Sequence, residues 1–483
     1  MTQLPSNHLE AGDRQAEPAR HVGAAAVHRA DRAVDVAVTV GLVFMAVLLV
    51  ALHVRAYTKV SPIDEQMHID YLVRAPGLQP VVSGTKLGEQ AMREEACRGI
   101  GSSFSPPPCD SPLLRPDQFE FSGYNSAYIH PATYYDITAV LARTLQAAAG
   151  LPSLVTAARL IGGLWLAAGL VLSYLAARKL GAPALSSLGV VLLAAATPVV
   201  LFLSATVTPD SMNLLVGAGV LYLVLLWEEQ PARWWLLVAA SVAAVAVKLT
   251  NAVVLPTLAM YLILRAIPGA GGWWKPVMIG ARDHGDSATG INQLTPRRAI
   301  TAAGVLGVTS LVLAALWMLA VQRNAVLDAS LQPMNVYLQT HSASLRSADV
   351  VSSVTAFLPP ILSQYIPPPL DRATSRVIIQ ITVGLFIAGL VASVLGAGVA
   401  ARLRSLGLST LVVALTGGPL FTVYYYVGLH QVITIPPRYA MALLPAMLSL
   451  VAAALSARWS GVVLVALGLI SYGMTAGFLA TAV

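Results

Sequence analysis

The chain has 483 residues, of which 56% are hydrophobic and only 11% are charged, and its formal net charge is +7. Such an apolar composition excludes an ordinary soluble domain and is typical of a protein with many membrane-spanning helices. The basic residues are dispersed between apolar runs and form no stripe or basic helix. This dispersion argues against a nucleic-acid partner and indicates membrane topology instead.

Apolar runs along the chain predict an all-α polytopic membrane protein with eleven spans, each long enough to cross a bilayer as a helix that rises about 1.5 Å per residue. A twelfth span would be counted if residues 134–150 also crossed. That stretch contains Asp136 and Arg143, so we interpret it as a helix lying along the membrane surface. The predicted spans are 34–54, 155–177, 184–205, 209–227, 233–249, 251–267, 299–321, 377–400, 405–428, 438–456 and 460–481.

The short loops on the side of the N-terminus carry most of the Lys and Arg residues, which predicts that the N-terminus is inside the cell. No small-residue cleavage site follows the first span, so we expect it to remain as an anchor. The predicted order is a disordered cytoplasmic tail at 1–33, the anchor at 34–54, an external segment at 55–154, spans 2–7 within 155–321 with a cytoplasmic loop at 268–298, a second external segment at 322–376, and spans 8–11 within 377–483.

The two cysteines of the chain, Cys97 and Cys109, both fall in the first external segment. A disulfide between them would close a loop of about 13 residues in an oxidising compartment and constrain it by about 3 kcal/mol. The alternative is two free thiols.

Ionisable residues from distant parts of the sequence collect on the predicted external side. The first group is SPIDEQMHIDY, residues 61–71, just after the first span. Membrane enzymes need such carboxylates to activate a hydroxyl, and cations to hold an anionic group. The candidate site residues are Asp64, Glu65, His68, His130 in YNSAYIHPATYY, Asp210 in VTPDSMN, Lys248, and Arg438 with Tyr439 in ITIPPRYAMALLP.

Each of these residues also has a purely structural interpretation. Asp64 and Glu65 could form a solvated turn, and Asp210 could begin a helix, where an acid complements the helix dipole. Arg438 could be an interfacial anchor. The two histidines could bind a divalent metal with nearby carboxylates, but their spacing matches no recognised signature, so no metal site is assigned and the cofactor stays open. No Walker A or dinucleotide glycine pattern is present, so no nucleotide cofactor is expected.

Four motifs in order, PIDEQMH, IHPATYY, TPDS and PPRYAMALLP, resemble the membrane glycosyltransferases of the GT-C superfamily. The likeness extends to a bacterial GT-C-like group that carries a DExxH-type motif after the first span. The long first external segment and the interfacial helix agree with a GT-C-like fold. This chain has Pro437 where that group usually has glycine before the late Arg-Tyr pair.

The resemblance implies transfer of a sugar from a polyprenyl phosphate or pyrophosphate carrier to a hydroxyl of an envelope glycan, glycolipid or protein. The site would face outward from the bacterial inner membrane. Asp64 corresponds to the acid that the superfamily places in this loop, and is the expected base for an inverting transfer; Glu65 would assist it. Arg438 and Lys248 would hold the carrier phosphate, while His68, His130, Asp210 and Tyr439 would support the site.

Two other classes of function remain open. A lipid or polysaccharide transporter or flippase usually needs ionisable groups inside the bundle or an inverted repeat, and the sequence shows neither an acid in the middle of a predicted span nor such a repeat. A noncatalytic subunit of envelope assembly would tolerate Asp64→Asn and Arg438→Ala, whereas an enzyme would not.

Overall fold

The computed structural model describes residues 17–77, 81–267, 294–340, 344–363, 365–396 and 399–482. Within these residues the chain is mostly helical and contains no β-strand, which confirms the prediction of an all-α protein. The helices are α1 (Glu17–Ala56), α2 (Glu65–Arg74), α3 (Glu89–Arg98), α4 (Thr133–Ala149), α5 (Leu154–Lys179), α6 (Ala184–Ala196), α7 (Pro198–Ser204), α8 (Asn213–Glu229), α9 (Trp235–Val247), α10 (Val254–Ala266), α11 (Pro296–Arg323), α12 (Pro333–Thr340), α13 (Ser347–Ser353), α14 (Ala373–Leu395), α15 (Ala401–Leu429), α16 (Leu444–Ala454) and α17 (Arg458–Ala480).

Nine helices in the described part of the chain are long and apolar enough to cross a membrane. The pair α6 and α7 is bent by 69° and counts as a tenth such segment when the two helices are taken together as one span. The break falls at Pro198, whose missing N–H and ring interrupt a continuous helix. The remaining predicted span, 233–249, which is the fifth in chain order, corresponds to α9, an apolar helix of only 13 residues and therefore shorter than a typical span of about 20 residues. The apolar runs therefore predicted where the membrane helices lie, but not the short length of α9 or the bend between α6 and α7.

The first helix starts well before the predicted first span. α1 begins at Glu17, so the prediction of a disordered tail does not hold for residues 17–33. This stretch is rich in alanine, which favours a helix, so α1 begins ahead of the apolar span that starts at Asp31. Residues 1–16 and most of the predicted cytoplasmic loop, 268–293, lie outside the described residues.

Helix α5 lies centrally and packs against α1, α4, α6, α8 and α16. On α8, Gly217 faces Ala442, and a β-carbon at position 217 would lie only 2.2 Å from the Ala442 carbonyl oxygen. Ala442 belongs to a 3₁₀ helix, Pro437–Leu443, that leads into α16. The missing side chain of Gly217 thus lets the 3₁₀ helix that carries Arg438 approach α8 closely.

Two loop regions lie on the side predicted to be external: the first loop region, 57–153, contains α2 to α4, and the second, 324–372, contains α12 and α13. A disulfide joins Cys97 at the end of α3 to Cys109, with 4.4 Å between their α-carbons. The two regions contact each other at Ser83, whose carbonyl accepts hydrogen bonds from the backbone N–H groups of Val326 (2.9 Å) and Leu327 (3.1 Å). These bonds fasten the second loop region onto the first.

A separate charged cluster binds α15 to α8 and α10. Glu228, near the end of α8, accepts hydrogen bonds from Arg402 (2.7 Å) and from the hydroxyl of Tyr261 (2.8 Å). Arg402 also donates to the carbonyl of Lys179. Since its groups are paired with one another, the cluster is a structural joint between helices.

Candidate active site

Asp64 stands at the start of α2 in an unusual backbone conformation. Its φ of 55° and ψ of 14° are left-handed, a region that aspartate tolerates better than most residues. The backbone carbonyl accepts hydrogen bonds from the N–H groups of Met67 and His68, which begin the helix. The side chain does not cap the helix, and no described residue donates a hydrogen bond to its carboxylate. Asp64 is partly exposed, so this carboxylate is available to a substrate.

Glu65 points into the protein and is completely buried. Its Oε2 accepts hydrogen bonds from the Arg159 Nη2 (2.6 Å) and from the Ser61 backbone N–H (2.7 Å). Its Oε1 accepts from the Arg159 Nε (2.9 Å) and from the Val207 backbone N–H (2.8 Å). Both oxygens are therefore fully engaged inside the protein, and the adjacent acids Asp64 and Glu65 have opposite surroundings.

Arg159, on α5, is 1% exposed and uses its remaining donors on the backbone after α1. Its Nη1 donates to the carbonyls of Tyr57 (3.1 Å) and Thr58 (3.5 Å), and its Nη2 to that of Lys59 (2.7 Å). The guanidinium thus joins α5 to the chain segment that leads to Asp64. A buried ion pair is tolerable only when its other hydrogen-bonding groups are satisfied, as they are here.

Asp210 gathers two cations from distant segments. It lies in a 3₁₀ helix, Pro209–Met212, that precedes α8, and its Oδ1 accepts hydrogen bonds from the Lys248 Nζ and from the Asn213 Nδ2 (2.8 Å). Its Oδ2 lies 3.4 Å from the Arg438 Nε. Lys248 reaches this point because it is the extended residue at the break after α9. Asp210 therefore holds Lys248 and Arg438 side by side.

Arg438 keeps its hydrogen-bonding capacity. Its Nε is buried, and the guanidinium donates no hydrogen bond to any residue in the described ranges, since the contact with Asp210 lacks the geometry of one. The ring of Tyr439 lies close to both cations, with its centroid 5.2 Å from the Lys248 Nζ and 5.5 Å from the Arg438 Cζ. These cation–π contacts fix the pair. A guanidinium with free donors next to an ammonium is suited to an anionic group such as a phosphate.

The charges that act on Asp64 are those of Arg438, Lys248 and Asp210. Burial raises the pKa of the Asp64 carboxyl above its usual range, Arg438 and Lys248 oppose this effect, and the negative charge of Asp210 adds to it. The pKa of Asp64 is therefore shifted in the direction of neutral pH. A general base is most effective when its pKa lies near the working pH.

Two histidines adjoin this cluster. His68, one helical turn after Asp64, lies with its Nδ1 2.7 Å from the hydroxyl of Tyr135, and its ring centroid is 5.4 Å from that of His130. Burial, assisted by the charge of Lys248, lowers the pKa of His68 to about 3. Burial likewise lowers the pKa of His130 well below its usual value. Both imidazoles are thus neutral at physiological pH and can orient other groups without adding charge.

No group of three or more His, Cys, Asp or Glu side chains within the described ranges has the geometry to hold a metal ion. Asp70, the remaining acid of the motif, turns away from Asp64: its Oδ2 accepts hydrogen bonds from Arg74 (3.0 Å) and Asn125 (2.8 Å). Asp70 therefore stabilises the first loop region.

Sequence reasoning selected most of this cluster but missed one residue that organises it. Asp210, Lys248, Arg438 and Tyr439 contact one another, and Asp64, His68 and His130 lie within electrostatic range of these charges. Arg159 was missed because it stands in the apolar run AARLIGG. An arginine inside such a run was itself a signal, since a charge there needs a buried partner.

The fold and site define a polytopic helical membrane protein with a partly exposed carboxylate within electrostatic range of a pair of cations. Residues 150–277 match the dolichyl-phosphate-mannose-protein mannosyltransferase family. This segment runs from the start of α5 beyond α10 and includes Arg159, Asp210 and Lys248. The match supports the GT-C superfamily and indicates a membrane glycosyltransferase. No curated protein and no solved structure matches the chain.

Proposed function

We propose that this protein transfers a sugar from a polyprenyl phosphate carrier to a hydroxyl acceptor at the outer face of the bacterial inner membrane. The observation that carries the proposal is an unpaired Asp64 carboxylate within electrostatic range of two cations, Lys248 and Arg438, that Asp210 holds together. The family match over residues 150–277 supports a lipid-linked donor. The positive-inside distribution of Lys and Arg supports the outward orientation.

In the proposed reaction, Asp64 accepts the proton of the acceptor hydroxyl. The acceptor oxygen forms a bond to the anomeric carbon, while the bond from that carbon to the phosphate oxygen breaks and its electron pair leaves with the phosphate. This single displacement inverts the anomeric configuration. The leaving phosphate gains one negative charge, which Arg438 and Lys248 stabilise.

Asp210 acts in this scheme as the residue that positions the two cations. It holds Lys248 by a hydrogen bond and Arg438 by a longer contact, so Arg438 retains donors for the phosphate. Its charge also offsets part of the positive charge, which keeps the donor from binding too tightly in its ground state. Tyr439 contacts both cations with its ring.

Glu65 is a positioning residue in the proposed site. It has no free oxygen for a substrate, and its pairing with Arg159 fixes the start of α2, where Asp64 stands. His68 and His130 are proposed to orient the donor or the carboxylate through neutral imidazole hydrogen bonds.

The test uses the full chain in proteoliposomes supplied with a panel of polyprenyl phosphate sugars and envelope acceptors. Asp64→Asn should lower transfer by about 100- to 10,000-fold, the usual contribution of a positioned base. Asp117→Asn is the matched control, because Asp117 is an exposed acid of the same loop region. Equal and nonzero transfer by the wild type and Asp64→Asn would refute the base assignment.

The same preparation separates the enzyme from the two other classes. A transporter or flippase would move the lipid-linked sugar across the bilayer without consuming it. A noncatalytic subunit would leave the donor intact and would keep its cellular role after Asp64→Asn or Arg438→Ala. Consumption of the donor by the purified protein, lost in both variants, supports the glycosyltransferase.

A further inference from the structure

Close to Asp64 lies a group of polar and aromatic side chains that the proposed chemistry leaves unused: Gln66, Glu120, Phe121 and Tyr337. We propose that these four residues form a carbohydrate subsite that binds a sugar unit of the acceptor, so that the acceptor is a glycan or the glycan headgroup of a lipid. This inference rests on the proposed sugar transfer and specifies its acceptor.

The subsite adjoins the proposed base. Gln66 follows Asp64 by two residues on α2, and its Nε2 donates a hydrogen bond of 3.4 Å to the Glu120 Oε2. The charges of Asp64 and Glu120 also interact: the pKa of Glu120 is raised by burial and, next, by the Asp64 carboxylate. Glu120 therefore brings the 3₁₀ helix Glu120–Gly123 to the site.

Unused hydrogen-bond acceptors point to a ligand that supplies hydroxyl groups. Gln66 is only 3% exposed, and its Oε1 has no hydrogen-bond partner among the described residues. The Glu120 Oε1 also receives no hydrogen bond from the described part of the chain. A buried acceptor without a partner is costly, so the arrangement favours a ligand that donates. Neighbouring sugar hydroxyls can donate to a carboxamide and a carboxylate together.

Two aromatic rings complete the subsite. Phe121 belongs to the first loop region and Tyr337 to α12 of the second, and their ring centroids lie 6.2 Å apart in an edge-to-face arrangement. Tyr337 remains 51% exposed. An exposed ring of this kind provides a flat apolar surface for the C–H face of a sugar. The subsite therefore spans the contact between the two loop regions.

The backbone at this point is strained. Phe121 and Ser122 have consecutive left-handed φ angles of 51° and 55°, a conformation that costs free energy for side chains other than glycine. The strain is held by the neighbouring backbone, where the Gly123 carbonyl accepts a hydrogen bond of 2.8 Å from the Leu87 N–H. Such strained segments concentrate at ligand sites. Here the strained turn follows directly after Glu120 and carries Phe121.

The experiment measures two reactions of reconstituted full-length protein: transfer to acceptors and hydrolysis of the polyprenyl phosphate sugar by water. The acceptors are neutral hexose and pentose disaccharides, glycolipids with the same disaccharides as headgroups, and a peptide containing Ser and Thr. Tyr337→Ala and Glu120→Gln should each raise the KM for the saccharide acceptor about tenfold, a larger effect than either has on donor hydrolysis. Tyr337→Phe should keep the wild-type KM, because it keeps the ring.

Two controls match these variants. Val336→Ala removes an exposed side chain from the same helix, and Glu89→Gln neutralises an exposed acid of the first loop region. Neither should change the acceptor KM. A lower KM for the glycolipid than for the free disaccharide would support the subsite and identify the membrane-bound source, and the reverse would support it with a free glycan.

The outcomes separate this inference from the proposed function. Donor hydrolysis in all variants with an unchanged acceptor KM would overturn the subsite and leave the glycosyltransferase intact. Transfer to the peptide alone would likewise overturn it. If the wild type consumed no donor from the panel, the proposed function would fail and the subsite with it.

Discussion

The guanidinium of Arg159 and the carboxylate of Glu65, 94 positions apart in the sequence, are joined by two hydrogen bonds of 2.6 and 2.9 Å in a fully buried site. This pair determines where the first loop region begins, because Arg159 also binds the carbonyls of residues 57–59. The ion pair therefore positions Asp64. It cannot itself bind a substrate, because both oxygens of Glu65 are already hydrogen-bonded inside the protein.

Breaking the pair should destabilise the protein strongly. Glu65→Gln and Arg159→Met are each expected to lower the free energy of unfolding by about 3 to 5 kcal/mol, because each leaves a buried partner unsatisfied. The double variant should lose clearly less than the sum, since the two residues interact directly. Thermal and denaturant unfolding in detergent measure these changes.

The control is Arg93–Glu89, an exposed ion pair on α3 in the same loop region. Substitution of either residue by alanine should cost less than about 1 kcal/mol. Additive losses for Glu65 and Arg159 would contradict their assignment as one unit.

Two substitutions should shift the acid limb of the pH profile in opposite directions. Asp64 must be ionised to act as the base, so kcat/KM should fall as the pH drops through its pKa, which burial raises. Arg438 lowers that pKa, so Arg438→Gln should move the limb to higher pH; Asp210 raises it, so Asp210→Asn should move the limb to lower pH. Each shift should be roughly one pH unit.

The measurement is kcat/KM for transfer as a function of pH at constant ionic strength. The shape of the profile is compared, because both variants also affect donor binding. A shift in the same direction for Arg438→Gln and Asp210→Asn would show that another group titrates.

Glu95 should make the stability of the protein depend on pH. It is fully buried on α3, neither carboxylate oxygen has a partner within the described ranges, and burial, followed by the charge of Glu120, raises its pKa to about 7. Between pH 4.5 and 7 the folded state therefore binds more protons than the unfolded state, so stability should fall as the pH rises. The loss should reach about 3 kcal/mol when the group is ionised.

Glu95→Gln should remove most of this slope and raise the melting temperature at pH 8 relative to wild type. Glu89→Gln, at an exposed position on the same helix, should leave the slope unchanged. The assignment to Glu95 would be wrong if the stability of the wild type rose between pH 5 and pH 7.5 and Glu95→Gln left this pH dependence unchanged.

The disulfide should stabilise the first loop region. Replacement of Cys97 and Cys109 by serine is expected to cost about 3 kcal/mol, since the bond closes a loop of about 13 residues. Unfolding of the wild type in a reducing agent should match unfolding of the double variant without it. Identical stability of oxidised and reduced wild type would exclude this contribution.

The side of the membrane on which the charged residues lie could be predicted, because it follows from the order of the spans along the chain. Asp64, Asp210 and Arg438 each adjoin an end of a predicted span, and the alternation of spans brings those ends to one side. The all-α fold followed from composition and apolar runs. The sequence could not reveal which runs break or fall short, as at Pro198 and in α9, because hydrophobicity alone does not encode a bend.

The directions of the side chains were harder to predict. Glu65 was expected to assist Asp64, but the left-handed backbone of Asp64 and the partner on α5 direct it inward. Glu120 lies in a segment without helical or strand periodicity, so no pattern marked its approach to Asp64. Both depend on contacts between residues far apart in the sequence, which a single sequence does not display.

The left-handed backbone at Asp64 also offers a way to distinguish active proteins from inactive relatives. At this φ the backbone accepts glycine and asparagine as readily as aspartate, so a relative with either residue could keep the turn and the start of α2. Such a relative would fold alike while lacking the group that takes the proton. The residue at position 64 would therefore distinguish a transferase from a protein that only binds its substrates, since the backbone there accepts the loss of the carboxylate.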